Sequence, residues 1–179
     1  MMGAASDRTY YQHPLLPHTL DVVINTPSGV TLSATTTIIT RVFSNSNLRM
    51  LATGALQFNG VTLGSPLSRD VDHHIRITST PNGTTSLPIT IYIDGVQVHS
   101  GTVTTISDFI DVGIGGTYTS TSDSYCYAGG SIKSAIIWSA DKGAPDPGEV
   151  AVYDPDTFTP ENLTSAFVVM DGTPHFYSR

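Results

Sequence analysis

The chain has 179 residues and a formal net charge of −7, with only eight lysines and arginines and no basic stripe. This charge balance argues against binding to a nucleic-acid backbone or to an anionic membrane surface. No run approaches the roughly 18 apolar residues that cross a bilayer, so we expect no membrane insertion.

The first 18 residues are expected to form an extended N-terminal arm, followed by a single domain over residues 19–179. Tyr10 and Tyr11 are followed by Pro14 and Pro17, which interrupt regular secondary structure. This pattern favours an extended segment that docks on its own domain or on a neighbouring subunit. The start of the chain lacks the apolar stretch of a signal peptide. We therefore expect a location on a virus particle, or outside the cell after lysis.

From Thr19 onward, short β runs alternate with turns. A single turn of helix is predicted near residues 159–163, with Thr159 as its N-cap. Regularly spaced short strands are typical of a sandwich or jelly roll. The predicted strands are 20–24, 35–44, 48–58 with a break at Gly54, 71–79, a hairpin over 87–98, 103–106, 109–114, 131–139, 150–153 and 166–170.

The hairpin is the strongest local prediction. Asp94-Gly95 is a preferred pair for a two-residue type I′ turn, since both residues need a positive φ. Asp94 is therefore interpreted as a turn residue. The predicted pairs are Ile93 with Val96 and Ile91 with Val98 on an apolar face, and Tyr92 with Gln97 and Thr90 with His99 on a polar face.

Four segments, taken together and in order, resemble the laminin G-like and concanavalin A-like superfamily of lectins and glucanases. They are His73–Thr78, the hairpin segment Ile91–Val96, Ile110–Gly115 and Gly130–Trp138. The resemblance covers roughly residues 35–140. It implies an all-β fold, a two-sheet antiparallel jelly-roll sandwich with loops at its rim. Members bind glycans or proteins, some hydrolyse glucans, and others are adhesion modules, including modules on phage particles.

The last of these segments predicts a local irregularity. Such a fold would turn Ile132, Ala135 and Ile137 toward the core, which breaks strict alternation and calls for a β-bulge near Lys133-Ser134. Trp138 would then lie on the opposite face, where it either packs against a loop or serves as a platform for a sugar.

No catalytic set is apparent, and we expect no enzyme activity. Glucan-cleaving relatives carry an E-x-D-x-x-E strand, which is missing here. The nearest acidic cluster contains Glu149 and Asp154, but these have opposite parity on a strand, and Pro155 ends it. The adjacent His73 and His74 point to opposite faces of a strand, which disfavours a zinc site.

Calcium is the one cofactor that the resemblance leaves open, since laminin G-like domains often hold one Ca²⁺ at the loop rim. Asp111 and Asp123 are the candidate ligands. The alternative is that Asp111 is an exposed strand residue and Asp123 a solvated loop residue, because no dense oxygen-ligand motif is present.

The segment 116–129 is the candidate binding loop. Its tyrosines among Ser, Thr and Gly combine stiff aromatic area with adaptable hydrogen bonding, as recognition loops do. The alternative is a connection whose tyrosines pack on the sheet. The candidate ligand-binding residues are Tyr118, Asp123, Tyr125 and Tyr127.

The function predicted from the sequence is a non-catalytic structural or adhesion protein of a virus particle, expected to be a phage, such as a capsid decoration, fibre or tail-associated protein that binds glycans. Its partners would be other virion proteins, further copies of itself in a homo-oligomer joined through Tyr10 and Tyr11, or a cell-surface glycan. One alternative is a free lectin, assisted by calcium. The least favoured alternative is a glycoside hydrolase.

Overall fold

The computed structural model describes residues 9–12, 18–40, 47–80, 86–104, 109–114, 116–119, 122–125, 130–138, 141–146, 168–170 and 173–175. Across these ranges the chain is all-β, and its strands form two antiparallel sheets and a separate ribbon. No helix with the length and hydropathy of a membrane span occurs in the described part of the chain.

One sheet has six strands. In spatial order they are β1 (Thr9–Gln12), β10 (Phe109–Ile114), β3 (Thr36–Thr40), β4 (Leu48–Met50), β5 (Leu56–Phe58) and β6 (Val61–Leu63). The strand β1 belongs to the segment expected to be an arm, and it pairs with β10 of the same chain, with Tyr10 opposite Asp111 and Tyr11 opposite Ile110.

The other sheet has seven strands. In spatial order they are β15 (Thr173–His175), β14 (Val168–Met170), β13 (Ser131–Trp138), β2 (His18–Asn25), β7 (Asp72–Ser79), β8 (Ser86–Ile93) and β9 (Val96–Thr104). The chain passes from one sheet to the other after β1, β2, β6 and β9, and once more between β10 and β13, which gives the predicted two-sheet antiparallel jelly-roll sandwich. The remaining strands are β11 (Gly116–Thr119) and β12 (Ser122–Tyr125), which form a two-stranded ribbon within the described part of the chain.

A single apolar core joins the two large sheets. Alternate residues of β2, β7 and β8, such as Val22, Ile75 and Ile91, are fully buried in one cluster with residues of β3, β4 and β5. Because successive side chains on a strand point to opposite faces, this burial defines the inner face of the seven-stranded sheet. The intervening residues lie on its outer face.

The predicted hairpin turn is confirmed, because Asp94 and Gly95 have φ of 50° and 81°. Ile93 pairs with Val96, and Tyr92 pairs with Gln97, as predicted. The expected pairings of Ile91 with Val98 and of Thr90 with His99 are wrong, since Ile91 lies opposite His99 and Thr90 lies opposite Ser100. Val98 is an extra residue on β9, a β-bulge, and it packs against the core.

The bulge predicted in β13 is also present. The register with β2 shifts between Ile132 and Ser134, so that Lys133 is the extra residue. Ile132 and Ala135 are buried in the core cluster, as predicted. Just before β13, a Cβ on Gly130 would lie 2.0 Å from the carbonyl oxygen of Asn25, so only glycine fits this approach to β2.

Other sequence predictions differ from the structure or lie outside it. The strand expected over 103–106 is in part the end of β9, which runs to Thr104. The segment 116–129, expected to be a loop, contains β11 and β12. The predicted strand 150–153 and the helical turn near 159–163 lie outside the described residues.

Candidate functional site

The outer face of the seven-stranded sheet is divided into two halves. We call its part on β13, β2 and β7 the covered half and its part on β8 and β9 the open half. Apart from the exposed end around Asn25, Asp72 and Lys133, the described side chains of the covered half are buried even though they point away from the core, whereas those of the open half are half-buried or exposed. The boundary runs between β7 and β8.

Two rows of residues in register cross this boundary. The first row runs Ile136, Asp21, Arg76, Tyr92 and Gln97, and the second runs Thr19, Thr78, Thr90 and Ser100. In the first row, exposure is 0% at Asp21 and 2% at Arg76, but Tyr92 is half-buried and Gln97 exposed. Exposure in the second row changes at the same strand boundary, because Thr19 and Thr78 are buried whereas Thr90 is half-buried and Ser100 is exposed.

A buried ionic cluster lies in the covered half. The Asp21 carboxylate accepts hydrogen bonds from Arg76 Nε at 2.7 Å and Arg76 Nη2 at 3.1 Å. It lies 2.7 Å from His74 Nε2, which is therefore the ring nitrogen that donates to it. The cluster ties β2 to β7 through residues more than 50 positions apart in the chain.

The cluster keeps Asp21 ionised. Burial alone would raise the pKa of this carboxyl, but the hydrogen bonds from His74 and Arg76, together with the positive charge beside it, outweigh burial and hold the pKa below its ordinary value. The negative charge of Asp21 and the positive charge of Arg76 therefore cancel within the sheet.

The segment 141–146 is attached to one end of the covered half. The backbone N–H of Lys142 donates to Thr19 Oγ1 at 2.9 Å, and the Thr80 hydroxyl is hydrogen-bonded to the Asp141 carboxylate. Pro145 is buried within this segment. These contacts help to explain why hydroxyls at this end of the sheet are removed from solvent.

The open half has a different chemistry. Its described residues offer hydroxyl groups, one amide and one aromatic ring, and none of them carries a charge. A strand rises about 3.3 Å per residue, so the stretch from Pro88 to Tyr92 spans about 13 Å. The residues of the open half are Pro88, Thr90, Tyr92, Gln97, Ser100 and Thr102.

The hairpin that carries the open half is fastened to β7 at its turn. Asp94 Oδ2 lies 2.6 Å from His73 Nδ1, and Asp94 Oδ1 accepts the backbone N–H of His74 at 2.9 Å. His73 Nε2 lies 3.1 Å from the carbonyl oxygen of Ser68, which extends the connection to the preceding loop. Asp94 is thus a turn residue that also fixes the end of β8.

A third cluster lies at the exposed end of the sheet. The Asp72 carboxylate accepts hydrogen bonds from Lys133 Nζ at 2.8 Å and from Asn25 Nδ2 at 2.6 Å, and these contacts lower the pKa of Asp72 below its ordinary value. Because this cluster is exposed, water screens it, and we interpret it as a surface connection between β13, β2 and β7.

The ribbon of β11 and β12 brings three of the predicted ligand-binding positions together. Tyr118 lies opposite Asp123, and Tyr125 lies opposite Gly116. In the backbone register Tyr118 and Asp123 are therefore direct cross-strand neighbours, and Tyr125 follows two residues after Asp123 on the same strand. Tyr127 lies outside the described residues.

The two residues expected to bind calcium lie on different strands. Asp111 is on β10 opposite Tyr10, and Asp123 is on β12 opposite Tyr118, and β10 and β12 are not paired. Within the part of the chain that the structure describes, no group of three or more His, Cys, Asp or Glu residues is arranged to hold a metal ion. Calcium binding at Asp111 and Asp123 stays a prediction.

The sequence did contain a signal for the open half. The alternation in the hairpin places Tyr92 and Gln97 on a polar face, and this pairing is correct. It contained no comparable signal for the cluster of Asp21, His74 and Arg76, because a polar residue in an alternating strand is ordinarily assigned to solvent.

Comparisons with solved structures give several likenesses, among them a carbohydrate-binding module and a lyase. No family model and no curated protein matches the sequence. The carbohydrate-binding module CBM66 from Bacillus subtilis is 12% identical with a TM-score of 0.37, over 59% of this chain and 70% of that one. An alginate lyase from Corynebacterium sp. is 16% identical with a TM-score of 0.39, over 72% of this chain and 59% of that one. At these identities the likeness concerns the fold alone.

Proposed function

We propose that the protein binds carbohydrate, without cleaving it, at the open half of the outer face. The observation that carries this proposal is the uncharged row of hydroxyl, amide and aromatic groups that remains accessible on a sheet whose other half is buried.

The chemistry of the open half matches that of a sugar chain. Sugars present hydroxyls that both donate and accept hydrogen bonds, and the hydroxyls of Thr90, Ser100 and Thr102 and the amide of Gln97 also do both. The ring of Tyr92 adds a flat apolar surface with a polar tip, which suits the C–H face of a sugar ring. The stretch of about 13 Å along β8 favours an extended chain over a single compact ligand.

The charge arrangement supports binding without catalysis. Proton transfer needs a titratable group within hydrogen-bond reach of the reacting atoms. Asp21 is buried, and its carboxylate is engaged by Arg76 and His74. In the open half, the Tyr92 phenol is the titratable side chain among the described residues. The acids Glu149 and Asp154 of the hydrolase alternative lie outside the described residues.

A glycan array followed by calorimetry on the best ligand tests the proposal. Tyr92→Ala should lower affinity by about tenfold or more, the loss typical of a central aromatic contact. Arg49→Ala, at an exposed position on β4 of the other sheet, is the matched control and should bind as the parent does. A parallel assay of the bound polysaccharide for released sugar should stay blank.

A second tyrosine variant locates the site. If Tyr118→Ala abolishes binding while Tyr92→Ala does not, the ligand is held by the β11–β12 ribbon and the proposed location is wrong. Repeating the array with a chelator tests the calcium expectation, since binding through Asp111 and Asp123 should then be lost. A silent array would remove the carbohydrate-binding proposal altogether.

The setting that we propose is the surface of a virus particle, where the protein would act as a capsid decoration, fibre or tail-associated component. This rests on composition, since the low charge and Thr-rich surface suit a particle-bound β protein. Mass spectrometry of purified particles should detect the chain. Its absence from particles, with glycan binding intact, would favour the free lectin instead.

A further inference from the structure

We propose that the open half selects uncharged sugar chains over acidic ones, and that Asp21 maintains this selectivity by cancelling the charge of Arg76. The inference rests on the proposed carbohydrate-binding function and names its ligand class. It follows from the distribution of charge across the first row of the outer face.

Among the described residues, Arg76 is the cation closest in register to the open half. It lies directly opposite Tyr92, and directly opposite residues have Cβ atoms only about 5 Å apart. A bare guanidinium at this distance would attract the carboxylate of a uronic acid bound over Tyr92. Arginine is also the residue best suited to recognising carboxylates.

Asp21 removes that attraction. Its carboxylate takes two hydrogen bonds from Arg76, at 2.7 and 3.1 Å, on the side of Arg76 away from Tyr92. A paired cation and anion act at a distance as a dipole, whose field falls off faster than that of a single charge. The electric field at the open half is therefore much weaker than the field that an unpaired arginine would produce there.

Two further features of the protein also disfavour the binding of acidic chains. The open half contains only uncharged side chains among its described residues, so it offers an acidic sugar no compensating cation. The whole chain carries a net charge of −7, which repels a polyanion approaching from solution. A neutral chain loses nothing in this field and can use every hydroxyl and amide of the open half.

The test compares neutral and uronate oligosaccharides of equal length on the same array, with calorimetry at low and high salt. The parent protein should bind neutral chains only, with an affinity that salt does not change. Hits confined to uronate chains would overturn this inference and leave the carbohydrate-binding proposal intact. A silent array would overturn both.

Asp21→Asn tests the role of the buried carboxylate. Uncovering the charge of Arg76 should raise the ratio of uronate to neutral affinity by roughly fivefold or more. A merely structural role would lower both affinities together and leave this ratio unchanged, a result that contradicts the proposal.

Because Asp21→Asn alters a buried cluster, an exposed variant provides a second test. Gln97→Lys places a cation opposite Tyr92 without disturbing Asp21 or Arg76. It should also raise the ratio by roughly fivefold, whereas Gln97→Glu, its control of opposite charge, should lower the ratio. Equal ratios in the two variants would overturn the assignment of neutral selectivity to this half of the sheet.

Discussion

Thr19 and Ser100 lie in the same row on one face of one sheet, yet the first is fully buried and the second is exposed. The difference between the covered and the open half shows that the role of a polar residue on a sheet depends on what lies over it. In the covered half, hydrogen bonds and charges hold strands together. In the open half, similar groups remain available to a ligand.

The largest loss of unfolding free energy is expected when the buried carboxylate of Asp21 is removed. Asp21→Ala leaves Arg76 buried without its charge partner, and breaking such a pair typically costs about 3–5 kcal/mol of unfolding free energy. The matched control is Asp72→Ala, which removes an exposed pair with Lys133 and should cost less than about 1 kcal/mol. Urea unfolding of both variants measures the contrast.

A double variant sharpens this result. Replacing Asp21 and Arg76 together with Leu and Met removes both charges at once. Substitutions of this kind are often neutral or stabilising. A double variant as unstable as Asp21→Ala would show that packing of the covered half, rather than an unpaired charge, sets the cost.

Low pH should abolish the contribution that the same carboxylate makes to the stability of the folded protein. The pKa of Asp21 is lower in the folded protein than the ordinary value of 3.8 that applies to the unfolded chain. The stabilisation is therefore fully present well above that value and is lost as the pH falls through the folded-state pKa. Urea unfolding from pH 7 to pH 2 should show the gap between the parent and Asp21→Asn narrowing in this acid range. A gap that stays constant would contradict a lowered pKa.

Substitutions along the second row give a smaller contrast. Thr19→Val removes the oxygen that accepts the backbone N–H of Lys142 and leaves that donor without this bond, which costs about 1–3 kcal/mol. The same change at half-buried Thr90, in the open half, should stay within about 0.5 kcal/mol. Equal losses in thermal unfolding would mean that the two halves do not differ in the way described.

The smallest effect concerns the turn that supports the open half. Gly95 has a φ of 81°, which a residue with a Cβ adopts at a cost of roughly 1–2 kcal/mol. Gly95→Ala should lower stability by that amount, whereas Gly29→Ala, where an added Cβ meets nothing within 4 Å, should change it little. A neutral Gly95→Ala in chemical unfolding would indicate that the turn relaxes to another type.

Local chemistry accounts for the parts of the fold that the sequence predicted. The Asp94-Gly95 pair fixed a turn, and the spacing of Ile132 and Ala135 required the bulge in β13. The same reasoning applied to Asn59-Gly60 would have found the turn between β5 and β6, since these residues also have positive φ, 48° and 85°.

Long-range effects account for the parts that it missed. The pairing of Ile91 with Val98 failed because a bulge inside β9 shifts the register without any glycine or proline at that position to mark it. The burial of Asp21 has no local signal in the sequence, since its partners His74 and Arg76 lie 53 and 55 residues away. Of the candidate binding residues, Tyr118, Asp123 and Tyr125 lie on the paired strands β11 and β12, and their role stays a prediction.

The bulge at Val98 affects how neighbouring copies of the protein can pack against each other. Among the described residues, β9 is the outermost strand of its sheet and the longest in the molecule, and such a strand can recruit the strand of a neighbour through its free main-chain groups. An extra residue bends and twists the strand, so that β9 does not offer the straight edge that repeated edge-to-edge pairing of sheets requires. Copies packed closely together would then keep separate sheets, each with the exposed hydroxyls of Ser100 and Thr102 still accessible.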